Sequence, residues 1–365
     1  MKKNDALKRF WQFCSGPKLQ FFVMPYFMAV LVAGTVAQKY MGLFPATEKF
    51  FNSFILWVGP LPLPGGALAL TVIFLNLCVH FVLKSQWKWP QLGTTLSHLG
   101  VLVLLAGGIV TFLNKQEGFI ILQQGQPASE MYAYHEREFI IAQGREVLWQ
   151  KSDKHLVVDE DITNDKWPFT VQIMQKEPNV VLKETSAPPF GAQGVARQYK
   201  LSPQQAKLED ELNQMGLVFS VIDKKTEKET QWLTTEFLSE QPHMKIDGRE
   251  YNFTLKRQSR PLPFRLVMKD FKQDYYAGTD MARAYATTLD IVDGTKKWPS
   301  TIAMNEPLRY KGYTFYQSSV LNLPDMPPAS VLACVRNIGW LFPYLASALI
   351  FGGLVLHAGS RRYAR

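Results

Sequence analysis

Three of the six histidines in this chain fall inside long apolar runs. His80 closes the run that ends "LNLCVHFVLK", His98 stands in "LSHLG" early in the next, and His357 lies near the end of the last, "GGLVLHAGS". Ionisable side chains within apolar spans are rare, turn toward the protein interior, and mark function by default. Imidazole is a common axial ligand of haem iron. A flat macrocycle wedged between helices also needs small neighbours. Ser97 and Gly100 flank His98, and Gly353 sits one turn before His357 on the same face. Asn76, one turn before His80, is a candidate hydrogen-bond partner for that ring. The competing reading is an imidazole that snorkels into headgroups, and it is preferred for His80 and His357. His98 is deeper and has no acidic or basic neighbour in its own run, so a ligand role is preferred there. His135, His155 and His243 stand singly, without metal-ligand spacing, and read as surface residues.

The elements that must position these rings are four apolar runs, at 19–37, about 66–83, about 92–113 and about 338–357. Each has roughly the 17–25 residues that a transmembrane helix needs. Pro25 and Pro343 lie inside runs, which helices in lipid tolerate when neighbours satisfy the freed carbonyl. The first run is longer than a signal-peptide core and follows a long leader, so it is read as a retained span. All but two of the 31 acids (Asp5 and Glu48) fall within 114–330, and that stretch is close to neutral. The net charge of +9 therefore comes from residues that flank the runs: Lys2, Lys3, Lys8, Arg9 and Lys18 before the first, Lys84 and Lys88 between the second and third, and Arg361, Arg362 and Arg365 after the fourth. This is the positive-inside pattern. It predicts an inner-membrane protein with a cytoplasmic N-terminus (1–18), three transmembrane helices (19–113), a periplasmic domain (114–330), a fourth helix (338–357) and a cytoplasmic tail (358–365). All three intramembrane histidines then share the cytoplasmic leaflet. The segment 51–66, "FNSFILWVGPLPLPGG", is read either as a periplasmic interfacial element or as an apolar loop packed under the soluble domain.

From Glu117 the pattern changes to short alternating segments such as "GFIILQQGQ", "FTVQIMQ" and "EYNFTLKR", separated by turn pairs such as Asp247-Gly248 and Asp293-Gly294. That pattern predicts an antiparallel β-rich domain. Two exceptions stand out. "KLSPQQAKLEDELNQ" (200–214) reads as a helix or coil excursion, and "APPFGAQG" (187–194) as an exposed loop and a boundary between two β lobes. The aromatic stretch 300–319, with Tyr310, Tyr313, Phe315 and Tyr316, reads as a packed hairpin, with a docking surface as the alternative.

Composition also excludes functions. A nucleic-acid binder would carry its basic residues as a patch on a folded domain, whereas here they flank spans. The three cysteines, Cys14, Cys78 and Cys334, form no CxxC pair and no CxxCH, so the chain is neither a thioredoxin-like protein nor itself a c-type cytochrome.

From end to end the sequence resembles the ResB family of System II cytochrome c biogenesis, whose fused relatives are the CcsBA cytochrome c synthetases. The resemblance runs through "AGTVAQKY", "LNLCVHFVLK", "LSHLGVLVLLAGGIVTFL", "FRLVMKDFKQDYYAGTDMARAYATTLDIVDG" and "IAMNEPLRYKGYTFYQSS", in that order. It implies a partner, a CcsA/ResC-type membrane protein with a WWD motif, and a substrate pair, haem b and an apocytochrome c bearing CxxCH. The two subunits would carry haem across the inner membrane and join its vinyl groups to the two cysteines. It also implies that His98, at the position of a third-span histidine in the fused relatives, helps ligate the internal haem. The opposing ligand would come from the partner or, as weaker candidates, from His80 or His357. Cys78 matches a cysteine often found at the end of the second span and is read as a small buried residue. The chain carries no WWD motif, so it is expected to be a non-WWD subunit of a holocytochrome c synthetase that is inactive alone. The soluble domain is shorter than in many relatives, which leaves a lobe or docking surface in question. The alternatives are a b-type haem electron-transfer subunit, disfavoured because all three histidines lie on one side, and a haem-free assembly scaffold.

Overall fold

The computed structural model describes residues 16–279, 281–321 and 327–363, with side chains up to Ser360 in the last helix. The basic residues before Lys18, Cys14, and the arginines 361, 362 and 365 lie outside the described residues or side chains. The chain divides into a helical unit, up to Gln116 and from Arg336, and a β unit, Glu117–Val335. The second boundary lies a few residues beyond the sequence expectation because a final strand runs Ala329–Arg336.

The helical unit contains four long helices: α1 (Pro17–Met41), α2 (Gly66–Lys84), α3 (Trp89–Asn114) and α4 (Phe342–Tyr363). With the short 3₁₀ turn Ile338–Leu341 ahead of α4, all four are long and apolar enough to cross a membrane. This is a membrane protein. Pro90 occupies the first turn of α3, where no intrahelical N–H is lost. Pro343 likewise falls in the first turn of α4 and not in a helix interior, because the 3₁₀ turn takes up residues 338–341. Asn337 holds that start in place: its side-chain oxygen accepts from Gly339 N at 2.8 Å and from the Thr111 hydroxyl of α3 at 3.2 Å.

Between α1 and α2 the chain makes two short helical turns (Leu43–Ala46 and Thr47–Phe51) and a hairpin, β1 (Ile55–Val58) with β2 (Leu61–Pro64). The segment read as an interfacial element or plain loop is thus a β-hairpin.

The β unit comprises β3 (Gln116–Leu122), β4 (Pro127–Gln143), β5 (Glu146–Ser152), β6 (Asp161–Thr163), β7 (Phe169–Glu177), β8 (Val180–Glu184), β9 (Tyr199–Pro203), β10 (Gly216–Asp223), β11 (Glu229–Thr235), β12 (His243–Ile246), β13 (Arg249–Tyr275), β14 (Ala282–Asp293), β15 (Lys296–Ala303), β16 (Leu308–Tyr310), β17 (Tyr313–Leu321) and β18 (Ala329–Arg336). The large sheet runs β15-β14-β13-β4-β3-β18-β17-β16, with β5 and β12 added at β4 and β13. A second sheet runs β11-β10-β7-β6, and β8 pairs with β9 alone.

Two cores form along the same pair of long strands. Phe139 and Ile141 of β4 and Tyr251, Phe253 and Leu255 of β13 meet Phe169, Val171, Leu217, Phe219 and Val221 of the smaller sheet. Further along, Met131 of β4 and Leu262, Phe264, Leu266 and Met268 of β13 meet Ile120, Leu289, Ile302, Phe315 and Leu332. The strands change from one core to the other where their register slips, at Arg257/Ser259 and Pro261/Leu266. Pro261 and Pro263 remove ladder donors there, which bends a strand out of one layer into the next. The lobe boundary therefore crosses β4 and β13. It does not fall at 187–194, since the strands on either side of that loop pack into the same lobe.

The 200–214 segment also departs from the sequence reading. Tyr199–Pro203 is a strand and only Asp210–Leu212 forms a 3₁₀ turn. Pro203 ends the ladder, and the rest is held by side chains as described below. The turn pairs behave as expected: Asp247-Gly248 and Lys311-Gly312 both have positive φ (50° and 77°, 47° and 81°), the backbone of a tight two-residue hairpin. The aromatic 300–319 stretch puts Tyr313 and Phe315 into the core and leaves Tyr316 exposed. Phe264 lies edge-on to Tyr310, Tyr313 and Phe315.

Candidate functional site

The three intramembrane histidines come from α2, α3 and α4 and gather at one end of the helical unit. The His80 and His98 rings are neighbours, with centroids 5.7 Å apart and planes tilted by 36°. Thr94 joins the other two. Its backbone oxygen lies 2.8 Å from His98 Nδ1, and its hydroxyl lies 3.3 Å from His357 Nδ1. A carbonyl only accepts, so His98 Nδ1 carries the proton and donates; in the neutral ring this leaves the lone pair on Nε2. That is the tautomer a metal-ligating imidazole needs, set by a backbone partner as in metal sites generally. Sequence reasoning passed over Thr94. Its spacing, four residues before His98, was the available signal.

With metal–imidazole bonds of about 2 Å, two rings on opposite faces of one iron would hold their centroids roughly 6 Å apart. The His80 and His98 centroids, 5.7 Å apart, come near that separation, so His80 stays a candidate second ligand beside a group from a partner.

The small residues near the histidines do different work from that expected. They let α3 and α4 touch backbone to backbone. A Cβ on Gly93 or Gly353 would fall 2.6 Å from the carbonyl oxygen of the other, and one on Gly100 would meet Ile350 Cγ1 at 2.6 Å and Ala346 O at 2.9 Å. Small residues at such spacing allow close packing of membrane helices. The space beside Ser97, Gly100 and Gly353 is therefore filled by helix, not left for a macrocycle. Asn76, expected near His80, is buried and donates to Gly16 O at 3.2 Å, tying α2 to the start of α1. Cys78 is half-buried in α2. No group of three or more His, Cys, Asp or Glu suited to a metal ion occurs among the described residues.

In the β unit, His155 and His243 are exposed, as read from the sequence. His135 is not a plain surface residue. Its Nδ1 lies 2.6 Å from Asp210 Oδ2, with Glu211 3.7 Å from Nε2. Beside it, Arg137 of β4 and Arg257 of β13 stand directly opposite one another in the ladder. Like charges so placed repel. Glu236 bridges them, its two oxygens 2.8 Å from Arg137 Nε and 3.1 Å from Arg257 Nε, and it also accepts from Met215 N at 2.8 Å. Arg137 donates to Asn213 O and Arg257 to Glu211 O. The network thus clamps the 204–215 segment, which has little regular structure of its own, onto the sheet.

Burial pushes the Asp210 carboxyl up, but the His135 bond and the Arg137 charge outweigh it, and its pKa lies below the ordinary carboxylate value. The sign of the pH effect follows. Asp210 contributes stability above its unfolded value of about 4 and loses it as pH falls through the lower folded value. Peptide-resolved hydrogen exchange, corrected for intrinsic rates, is expected to show Lys207–Gln214 opening below about pH 4 while β10 stays protected. Equal protection of both at low pH would contradict the clamp. Cys334 is fully buried and its thiol is pushed up to about 12 by desolvation, so it is an inert core residue.

Comparison with known proteins bears on the β unit. Residues 217–330, from β10 into β18, match the ResB-like family model. Protein NrfI of Wolinella succinogenes is 32% identical over 132 residues, which is 35% of this chain and 13% of that protein. The chain therefore spans well under two thirds of the curated relative it matches. The long β13–β14 motif and the 300–319 hairpin both lie within the matched residues, whereas the helical motifs and the histidine cluster lie outside them. The comparisons thus make residues 217–330 of the β unit similar to the ResB-like family.

Proposed function

We propose that the chain serves cytochrome c biogenesis as the ResB half of a System II complex, holding haem b as cargo in the membrane. One observation carries this reading: three histidines from three spans converge at one end of the helices, and Thr94 fixes the tautomer of His98. His98 Nε2 supplies one axial bond to the haem iron, which protects the iron and helps set its redox state. The opposing ligand comes from a WWD-bearing partner of the CcsA/ResC type, with His80 and His357 as the weaker candidates. The positive-inside pattern of the basic flanks supports a histidine end at the cytoplasmic face of the inner membrane and a β unit in the periplasm. There the β unit scaffolds the partner or the apocytochrome, and the partner completes thioether formation at CxxCH.

A strain lacking this chain is expected to lose covalently bound haem from its c-type cytochromes while its b-type haem proteins persist, with plasmid-borne wild-type protein restoring the loss. Haem staining of denatured membranes reads this directly. Normal c-type staining in the deletion strain would refute the proposal and favour an electron-transfer subunit.

A further inference from the structure

We propose that the β1–β2 hairpin is a built-in membrane-interface anchor whose occupant is lipid, at the headgroup–acyl boundary on the side of the bilayer opposite the histidines. From Phe54 to Pro64 the sequence is FILWVGPLPLP, with no polar or charged side chain. Phe54, Ile55, Trp57, Val58 and Leu61 are all more than half exposed. A contiguous apolar surface of this kind needs cover. Both of its ends hang from spans: the chain arrives from α1 and leaves directly into Gly66, the first residue of α2, whose other end carries His80. Val32, Val36 and Tyr40 of α1 are exposed in the same way.

The backbone points to lipid in particular. Gly59, with φ of 59°, and Pro60 close a two-residue turn, and Val58 pairs with Leu61 across it. Bonded and non-bonded pairs then alternate, so Leu56/Leu63 exchange hydrogen bonds, and Gly65 N donates to Phe54 O at 2.9 Å. The pairs between them, Trp57/Pro62 and Ile55/Pro64, direct their backbone groups outward. On β2 both are prolines, so that edge presents no N–H at all. The outward carbonyl of Pro64 accepts from the Tyr26 hydroxyl of α1. An edge without unsatisfied donors suits hydrocarbon, which offers no acceptors, and resists pairing with another strand. The hairpin is also held firmly. Leu56 and Ala46 are buried, and a Cβ at Gly66 would fall 2.7 Å from Phe50 O. Trp57 then sits where indoles collect, at the membrane–water boundary.

The test is depth-dependent quenching of the full chain in phosphatidylcholine vesicles. The Trp57 signal is the wild-type emission minus that of Trp57→Phe. Leu61→Trp, compared with wild type, supplies a second, independent difference should the first variant misfold. Both signals are expected to lose most of their intensity to lipids brominated near the headgroup end of the acyl chain, and to resist aqueous iodide. That corresponds to burial of about 5–10 Å. Quenching by iodide as for a fully hydrated indole would overturn the proposal. So would protection from both quenchers, which would mean that protein covers the hairpin. Neither outcome depends on haem, so failure here leaves the proposed function standing.

Discussion

Replacing His98 with alanine is expected to strip the complex of haem and to stop cytochrome c maturation. The ring's Nδ1–H is committed to Thr94 O at 2.8 Å. Changes even to residues that only orient a metal ligand cost about 10–100-fold in affinity. Loss of the ligand itself should therefore reduce haem co-purified with the partner-bound chain by at least about tenfold. His80→Ala and His357→Ala are expected to reduce it less. His80 is the weaker candidate, its ring 5.7 Å from that of His98, and His357 reaches the site through the Thr94 hydroxyl. Haem content per complex, with haem staining of the mature cytochromes in the same cells, measures both effects. Equal losses in all three variants would show that the cluster acts as a packing unit.

The second large effect concerns the β unit. Glu236→Ala leaves Arg137 and Arg257 facing each other across the β4–β13 ladder without the carboxylate that bridges them, and leaves Met215 N–H without its acceptor. Burial already lowers the Arg257 pKa, and Glu236 opposes that shift. Breaking a buried ion pair from one side costs about 3–5 kcal/mol. For a domain of this size that corresponds to a fall in melting temperature of roughly 6–20 °C. Thermal unfolding of the purified chain reads it. Glu236→Gln, which keeps the shape and one acceptor, is expected to fall in between. A melting temperature unchanged by Glu236→Ala would show that the two arginines reach solvent.

The membrane frame was legible because span length and basic flanks are local signals that lipid enforces. The histidine cluster was legible in outline for the same reason: each ring's depth follows from its place in its own run. What was not legible is how the rings meet. That depends on the close approach of α3 and α4 through Gly93, Gly100 and Gly353, and small residues in a sequence do not say whether helix or ligand takes the space. Tight turns such as Asp247-Gly248 were legible from residue type. The two-core plan was not, since it rests on single strands long enough to serve both, with a bend at Pro261 and Pro263. His135 read as isolated because its partner Asp210 lies 75 positions away, beyond any spacing rule. The 200–214 stretch has a helix-like composition, yet Pro203 and the arginine clamp hold it open. In the 54–64 hairpin, alternate prolines concealed a strand, because proline ordinarily argues against one.

The most direct test of the central claim is imidazole rescue of His98→Gly in the purified two-subunit complex. The account predicts that the variant lacks the low-spin haem spectrum of wild type and that added imidazole restores it. It also predicts that the same treatment does nothing for wild type. A low-spin spectrum in His98→Gly identical to wild type without imidazole would contradict it, because the iron would then be held by other groups.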